Sequence, residues 1–243
     1  TGTLNNGNGY TPAVVVGYNL VGNPYPSQID AATFLSNNST LGTTTLYFWS
    51  HTLAASGGSY AQSNYATFNG TGGTPAQAGG ATPDGTIQVG QGFIIDVATA
   101  GNVNFNNAQR VSTSDNQFFR SSTINEKHRI WLGLTSPNNL YNQVLIGYVS
   151  GATNDMDASF DGKLFGDTNS VIYTSINSNK LAIQGRALPF ASTDEVALGF
   201  KAQTAGQYTI SLNEMDGLFT GNQDVYLRDN VLNITHNIKQ TPY

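Results

Sequence analysis

Short apolar stretches, broken every few positions by Gly, Asn, Thr or Pro, run from Val14 to Leu227. That texture predicts many short β-strands joined by tight turns, with almost no helix. The run Val14-Val15-Val16 reads as a buried strand continuing to Val21, and Leu46 to Trp49 as an aromatic strand. Tyr65 to Phe68 is a short strand, and Ile87 to Val97 a strand pair or a strand bent around Gly90 and Gly92. Val103 and Phe105 alternate with asparagines. In the second half, Ile130, Leu132 and Leu134 share one strand face with Trp131 opposite, and 143–149, 171–174 and 181–184 follow as strands. Glu195 to Lys201 places Val196, Leu198 and Phe200 inside, and Gln207 to Leu212 does the same with Tyr208, Ile210 and Leu212. Asp224 to Leu227 is the last strand.

Two stretches depart from this texture. Asn23-Pro-Tyr-Pro-Ser27 is a turn, because each residue before a proline is pushed out of the helical region. Ser27, three positions before Asp30, gives a helix N-cap pattern, so one short helix is expected over about 28–36. Asn69 to Gly85, rich in Gly, Thr, Pro and Ala, reads as an exposed loop. The expected fold is all-β: two packed jelly-roll or β-sandwich lobes with one short helix. Residues 1–115 form the first lobe and 116–243 the second, the latter truncated at its C-terminal strand because Thr241-Pro-Tyr243 stops where another strand would start. The chain reads as an excised piece of a longer protein.

Composition narrows the function classes. With 243 residues the chain can bury an ordinary core, and it has no cysteine, which excludes thiolate metal sites and a cysteine nucleophile. Charged residues make up 10%, well under the usual quarter, so the surface is polar but nearly uncharged. Ten Lys and Arg without a basic run argue against nucleic acid as a partner. No apolar run has the length of a membrane span.

Candidate chemistry is sparse. Asp155, Asp157 and Asp161 form a D-x-D-x-x-x-D loop whose carboxylates and carbonyls suit a structural calcium ion; the alternative is a set of Asx turns accepting backbone N–H bonds. His51, His128 and His236 are far apart, no G-x-S-x-G occurs, and no acid pair stands out among Asp30, Asp84, Asp96, Glu126, Glu195, Glu214 and Asp216. The chain therefore reads as a non-enzyme, with no cofactor beyond that calcium. Aromatic rings next to neutral amides suit surface glycans, because sugar C–H faces stack on them. Trp49 and Trp131 lie in strands and are expected in the core, and Tyr25 is a further candidate. Tyr60 and Tyr65, which flank loops, are the expected ligand-binding rings.

Four blocks stand in fixed order: Asn19 to Asp30 (Asn-Leu-Val-Gly-Asn-Pro-Tyr-Pro-Ser-Gln-Ile-Asp), Val89 to Ile95, Leu181 to Arg186 and Asp224 to Asn230. With Asn107 to Arg110, Asn154 to Asp157, Phe160-Asp161 and Leu227 to Asn237, they resemble the C-terminal β-rich region of large Bacteroidetes (Flavobacterium-like) cell-surface proteins exported by type IX secretion, gliding adhesins among them. Ala31 stands where the family commonly has an aromatic, and Asp155 where it has glycine. The resemblance spans roughly residues 15–240. It implies a secreted, cell-surface-attached, non-catalytic adhesin or stalk module near a C-terminal sorting domain, engaging the type IX machinery through its parent. A carbohydrate-binding module is the alternative, and a hydrolase domain comes third.

Overall fold

The alternating stretches fold as strands in the computed structural model, which describes residues 10–52, 54, 64–77, 79–111, 126–138, 140–166 and 170–243. The architecture is all-β, of sandwich type, with one α-helix among the described residues. The first part holds β1 (Ala13–Val14), β2 (Gly17–Gly22), β3 (Ile29–Asp30), α1 (Ala31–Asn37), β4 (Leu46–Trp49), β5 (Tyr65–Phe68), β6 (Gly73–Thr74), β7 (Thr86–Ile87), β8 (Gly92–Val97) and β9 (Gly101–Asn102). An antiparallel sheet runs in the order β2-β8-β4-β5-β6, and β1 with β9 and β3 with β7 make two small ribbons. Leu46, Phe48, Ala66, Phe93, Ile95 and Val97 point from one sheet face into a sealed core, which Phe34 and Leu35 of α1 complete from the other side.

The second part holds β10 (Lys127–Thr135), β11 (Tyr141–Val149), β12 (Gly162–Lys163), β13 (Val171–Ile176), β14 (Asn179–Arg186), β15 (Leu198–Lys201), β16 (Thr209–Met215), β17 (Tyr226–Asp229) and β18 (Ile234–Asn237). Its sheet order is β15-β13-β14-β11-β10-β16. β14 changes partners along its length: its first residues pair with β13, and Ile183 to Arg186 run parallel to β11. Ile130, Leu132, Leu134, Val144, Ile146 and Tyr148 face a second core, which Phe219 and the β17–β18 hairpin cover.

Several local expectations need correcting. The helix starts at Ala31, because Asp30 rather than Ser27 is its cap: the Asp30 carboxylate accepts from Thr33 N (2.7 Å) and Thr33 Oγ1 (2.6 Å). Val15 and Val16 are exposed, since a turn fastened by Asn19 on Val15 interrupts the run. Phe200 is exposed on β15, at the end of its sheet. Tyr25 is buried inside its proline turn, where Asn23 Oδ1 accepts from Tyr25 N and Asn23 Nδ2 donates to Ser27 O. Residues 112–125, where the lobes were expected to divide, lie outside the described residues.

The largest correction concerns Asn69 to Gly85. The first half is not an exposed loop: Asn69 and Thr71 to Gln77 are buried, with β6 resting against β11 and β14, whereas Gly80, Ala81, Thr82 and Asp84 are exposed as expected. The period-2 geometry of β10 explains how backbone is tolerated there. Its core face carries Ile130, Leu132 and Leu134, and its other face carries Lys127, Arg129 and Trp131. These three side chains donate to three carbonyls of the wedge. Lys127 Nζ reaches Gly70 O (2.8 Å), Arg129 Nη1 reaches Thr71 O (3.1 Å) and Trp131 Nε1 reaches Gly73 O (2.9 Å). In return, Asn69 Nδ2 and Thr71 Oγ1 donate to Phe160 O (2.9 and 2.8 Å), and Gln77 Nε2 to Gly166 O (3.1 Å). Burying this backbone is affordable only because its polar atoms are matched.

Close approach here requires glycine in the opposing sheet. A Cβ on Gly147 would stand 2.5 Å from Thr71 Cγ2, and one on Gly185 would stand 2.4 Å from Phe160 Cβ. At Gly22 the nearest atom to such a Cβ is 3.6 Å away. Gly185→Ala should therefore destabilise the fold by about 1–3 kcal/mol through overpacking, while Gly22→Ala stays within about 1 kcal/mol of wild type. Urea denaturation of the two variants checks this, and equal midpoints would refute the tight interlock.

Candidate functional site

Two regions bring candidate residues together: the turn from Thr153 to Gly166, and the outer face of the first sheet. In the turn, the aspartates act as acceptors for backbone. Asp161 is buried, with Oδ2 accepting from Asp157 N (2.6 Å) and Oδ1 from Gly185 N (2.9 Å). Asp157 Oδ1 accepts from Ser159 N (3.1 Å), an Asx turn, and Asp155 is exposed. Among the described residues no group of three Asp, Glu, His or Cys side chains is placed to hold a metal ion. The carboxylates of Asp157 and Asp161 fold the turn that delivers Phe160, Lys163 and Phe165 to the first lobe. Thr45 Oγ1 donates to Asp161 O (3.4 Å) and Tyr47 Oη to Lys163 O (3.3 Å).

Several other charged and histidine side chains are also engaged locally. Arg129 Nε and Nη2 both donate to Asp216 Oδ2 (2.8 and 2.6 Å), while Arg129 N donates to Oδ1 (2.8 Å). Arg186 forks onto Asp194, which also accepts from Tyr148 Oη (2.7 Å). His128 Nδ1 accepts from Leu218 N (3.2 Å), which leaves Nε2–H for Glu126 (3.0 Å). His236 Nε2 donates to Thr241 O (2.7 Å).

The outer face of the first sheet follows from strand parity. Leu46 and Phe48 enter the core, so Tyr47 and Trp49 point the other way, joined by Tyr65 and Thr67 of β5 and by Tyr18 and Leu20 of β2. The second lobe covers only part of this face. Tyr47 and Thr67 are buried, whereas Tyr18 is 53% and Trp49 42% exposed. Phe165 is the hub, its ring centroid 5.0 Å from that of Tyr18, 4.8 Å from Tyr47 and 4.9 Å from Tyr65. Trp49 joins edge-on to Tyr65 at 5.1 Å and lies nearly parallel (22°) to the ring of His51 at 6.1 Å. His51 holds a left-handed φ of 47°.

Of the two rings expected to bind, Tyr65 is half-buried within this row, and Tyr60 lies outside the described residues. Trp131 is in the interior as expected, at 7% exposure, with Arg129 4.8 Å above its ring. Trp49 is not, and Tyr18 was not anticipated at all. The parity of Leu46 to Trp49 turns Trp49 away from its own core, as that of β10 does Trp131. No sequence signal marks where the second lobe's cover ends.

Burial pushes the Asp161 carboxyl up from 3.8 to about 6, with the Asp157 charge adding to the rise; the two backbone N–H donors and Arg186 oppose it. Between about pH 4 and 6 the unfolded chain releases this proton while the native chain keeps it, so native stability falls as pH rises through that window. Asp161→Asn has no proton to lose, and its amide turns a donor toward a backbone N–H. Its deficit in melting temperature against wild type should be largest near pH 4 and shrink toward pH 7. A deficit that grows with pH would contradict this assignment.

Comparison with curated proteins and with solved structures returns no match. One family model, described as a domain of unknown function (DUF8693), matches residues 1–243, and the chain belongs to that family.

Proposed function

We propose that this chain is a non-catalytic module of a type IX-exported cell-surface protein, acting as a stiff adhesin or stalk segment. The observation that carries the proposal is the interlock between the lobes. The wedge from Asn69 to Gln77 is hydrogen-bonded from both sides, by Lys127, Arg129 and Trp131 of β10 and by the carbonyls of Phe160 and Gly166. A segment that holds other domains away from a cell must resist shear between its parts. Reciprocal polar contacts across a packed seam provide that resistance, because sliding one lobe breaks several bonds together and strands buried polar atoms. The polar, sparsely charged composition suits an exposed surface carrying no strong field. The ordered blocks from Asn19 to Asn230 point to the export route.

An antibody raised against this chain should label intact cells of the bacterium that encodes it, and labelling should vanish when the type IX translocon is deleted. Signal seen only after permeabilisation would overturn the reading.

A further inference from the structure

On the outer face of the first sheet we infer a binding ledge for neutral glycan chains, formed by Tyr18, Trp49 and Tyr65 around Phe165. This goes beyond the spacer role and stands or falls independently of it. Trp49, Tyr65, Phe165 and Tyr18 follow one another in a row with steps of 5.1, 4.9 and 5.0 Å, each ring turned 64–80° from the next, so half-buried Tyr65 and Phe165 link the two exposed end rings. The rings at its two ends are the exposed ones, with Trp49 at 42% and Tyr18 at 53%. They are nevertheless held in place. Tyr18 meets both Tyr47 and Phe165 edge-on at 80°, and Trp49 is braced by Tyr65 on one side and by His51 on the other. Exposed aromatics whose orientation is fixed before binding lose little conformational entropy on contact.

The electrostatics select the ligand class. Asp96, beside Tyr18 on the neighbouring strand, is paired with Lys163 at 3.4 Å, so the charges at this edge compensate each other. An acidic or basic ligand gains no net attraction there. A neutral sugar does gain: its C–H faces cover the apolar rings, and its hydroxyls reach the partly exposed Asp96 carboxylate and the Tyr18 hydroxyl. The left-handed backbone at His51 fits this picture, because it is a less populated conformation that sets one ring nearly parallel to the exposed Trp49.

Isothermal titration calorimetry of the whole chain against cellohexaose, laminarihexaose, mannohexaose and chitohexaose, with heparin as a charged comparison, tests the inference. Saturable binding of at least one neutral hexaose is expected, unchanged by high salt. Trp49→Ala and Tyr18→Ala should each weaken it at least tenfold while melting within a few degrees of wild type. Tyr18→Ala retains Trp49, one of only two tryptophans, the other being buried Trp131, so its weaker binding can also be followed by the blue shift of Trp49 emission. Absence of heat with all four hexaoses would overturn the ledge. So would unchanged affinity in both variants, or binding restricted to heparin and lost in salt.

Discussion

The structure depends on a strip of main chain that would be untenable without side-chain donors. Thr71 to Gln77 is buried between two sheets, yet only Gly73 and Thr74 belong to a strand. Its carbonyls cannot all be satisfied by a β-ladder, and an unmatched buried carbonyl costs roughly 1–3 kcal/mol. β10 supplies the missing donors at two-residue spacing, with Lys127, Arg129 and Trp131 each meeting one carbonyl. The opposite face of the same strand carries the second core. β10 thus holds the second lobe together and fastens it to the first.

Placing Lys127 and Arg129 at this seam has a cost, which the surroundings offset in different ways. Arg129 is charge-compensated by the fork onto Asp216 and lies over the Trp131 ring. Lys127 has its pKa lowered, first by burial and then by neighbouring Arg129, with Asp216 opposing, and its ammonium donates to the Gly70 carbonyl. Asp161 bears the opposite strain: its carboxyl is buried to anchor the turn that carries Phe160 and Phe165, and two backbone N–H groups do not fully offset its lost hydration. The seam is built from groups that are individually unfavourable to bury and become tolerable only together, which couples the two lobes.

What the sequence revealed follows from this division. Where one sheet face meets an aliphatic core, period-2 alternation is unambiguous, and Ile130, Leu132 and Leu134 were assigned to one face with Trp131 opposite, as found. The all-β class was legible for the same reason, and the single short helix from its capping pattern. The wedge was not, because Gly, Thr, Pro and Asn signal both a solvent-exposed loop and a close approach of backbone. Only the glycines opposite, Gly147 and Gly185, distinguish the two cases, and they lie far away in sequence. The aspartate cluster carried a similar ambiguity. D-x-D-x-x-x-D is compatible with metal ligation and with Asx turns, and Asp157 and Asp161 here accept backbone N–H bonds. The helix cap moved by three residues because Ser27 and Asp30 are both good caps, and pairing of Ile29 with Ile87 keeps the chain extended up to Asp30.

The two tryptophans show how the seam also creates the surface. Trp49 and Trp131 occupy equivalent settings, each in a strand and each on the face turned away from its lobe's own core. Local sequence gives no reason for one to be buried and the other exposed. The wedge lies across β10 and covers Trp131, whose N–H it also accepts. On the first sheet the covering turn buries Tyr47 through Lys163 and Phe165, and Phe165 reaches only one side of Tyr18 and Tyr65. Trp49 lies beyond its edge and Tyr18 at it, braced by rings that are themselves pinned under the cover. Completing that cover would bury the remaining exposed half of two large aromatics, about 1 kcal/mol each. The fold forgoes that gain while spending several buried hydrogen bonds to hold the adjoining rings in place. Which of two equivalently placed tryptophans stays exposed is thus set by how far the neighbouring lobe's cover extends.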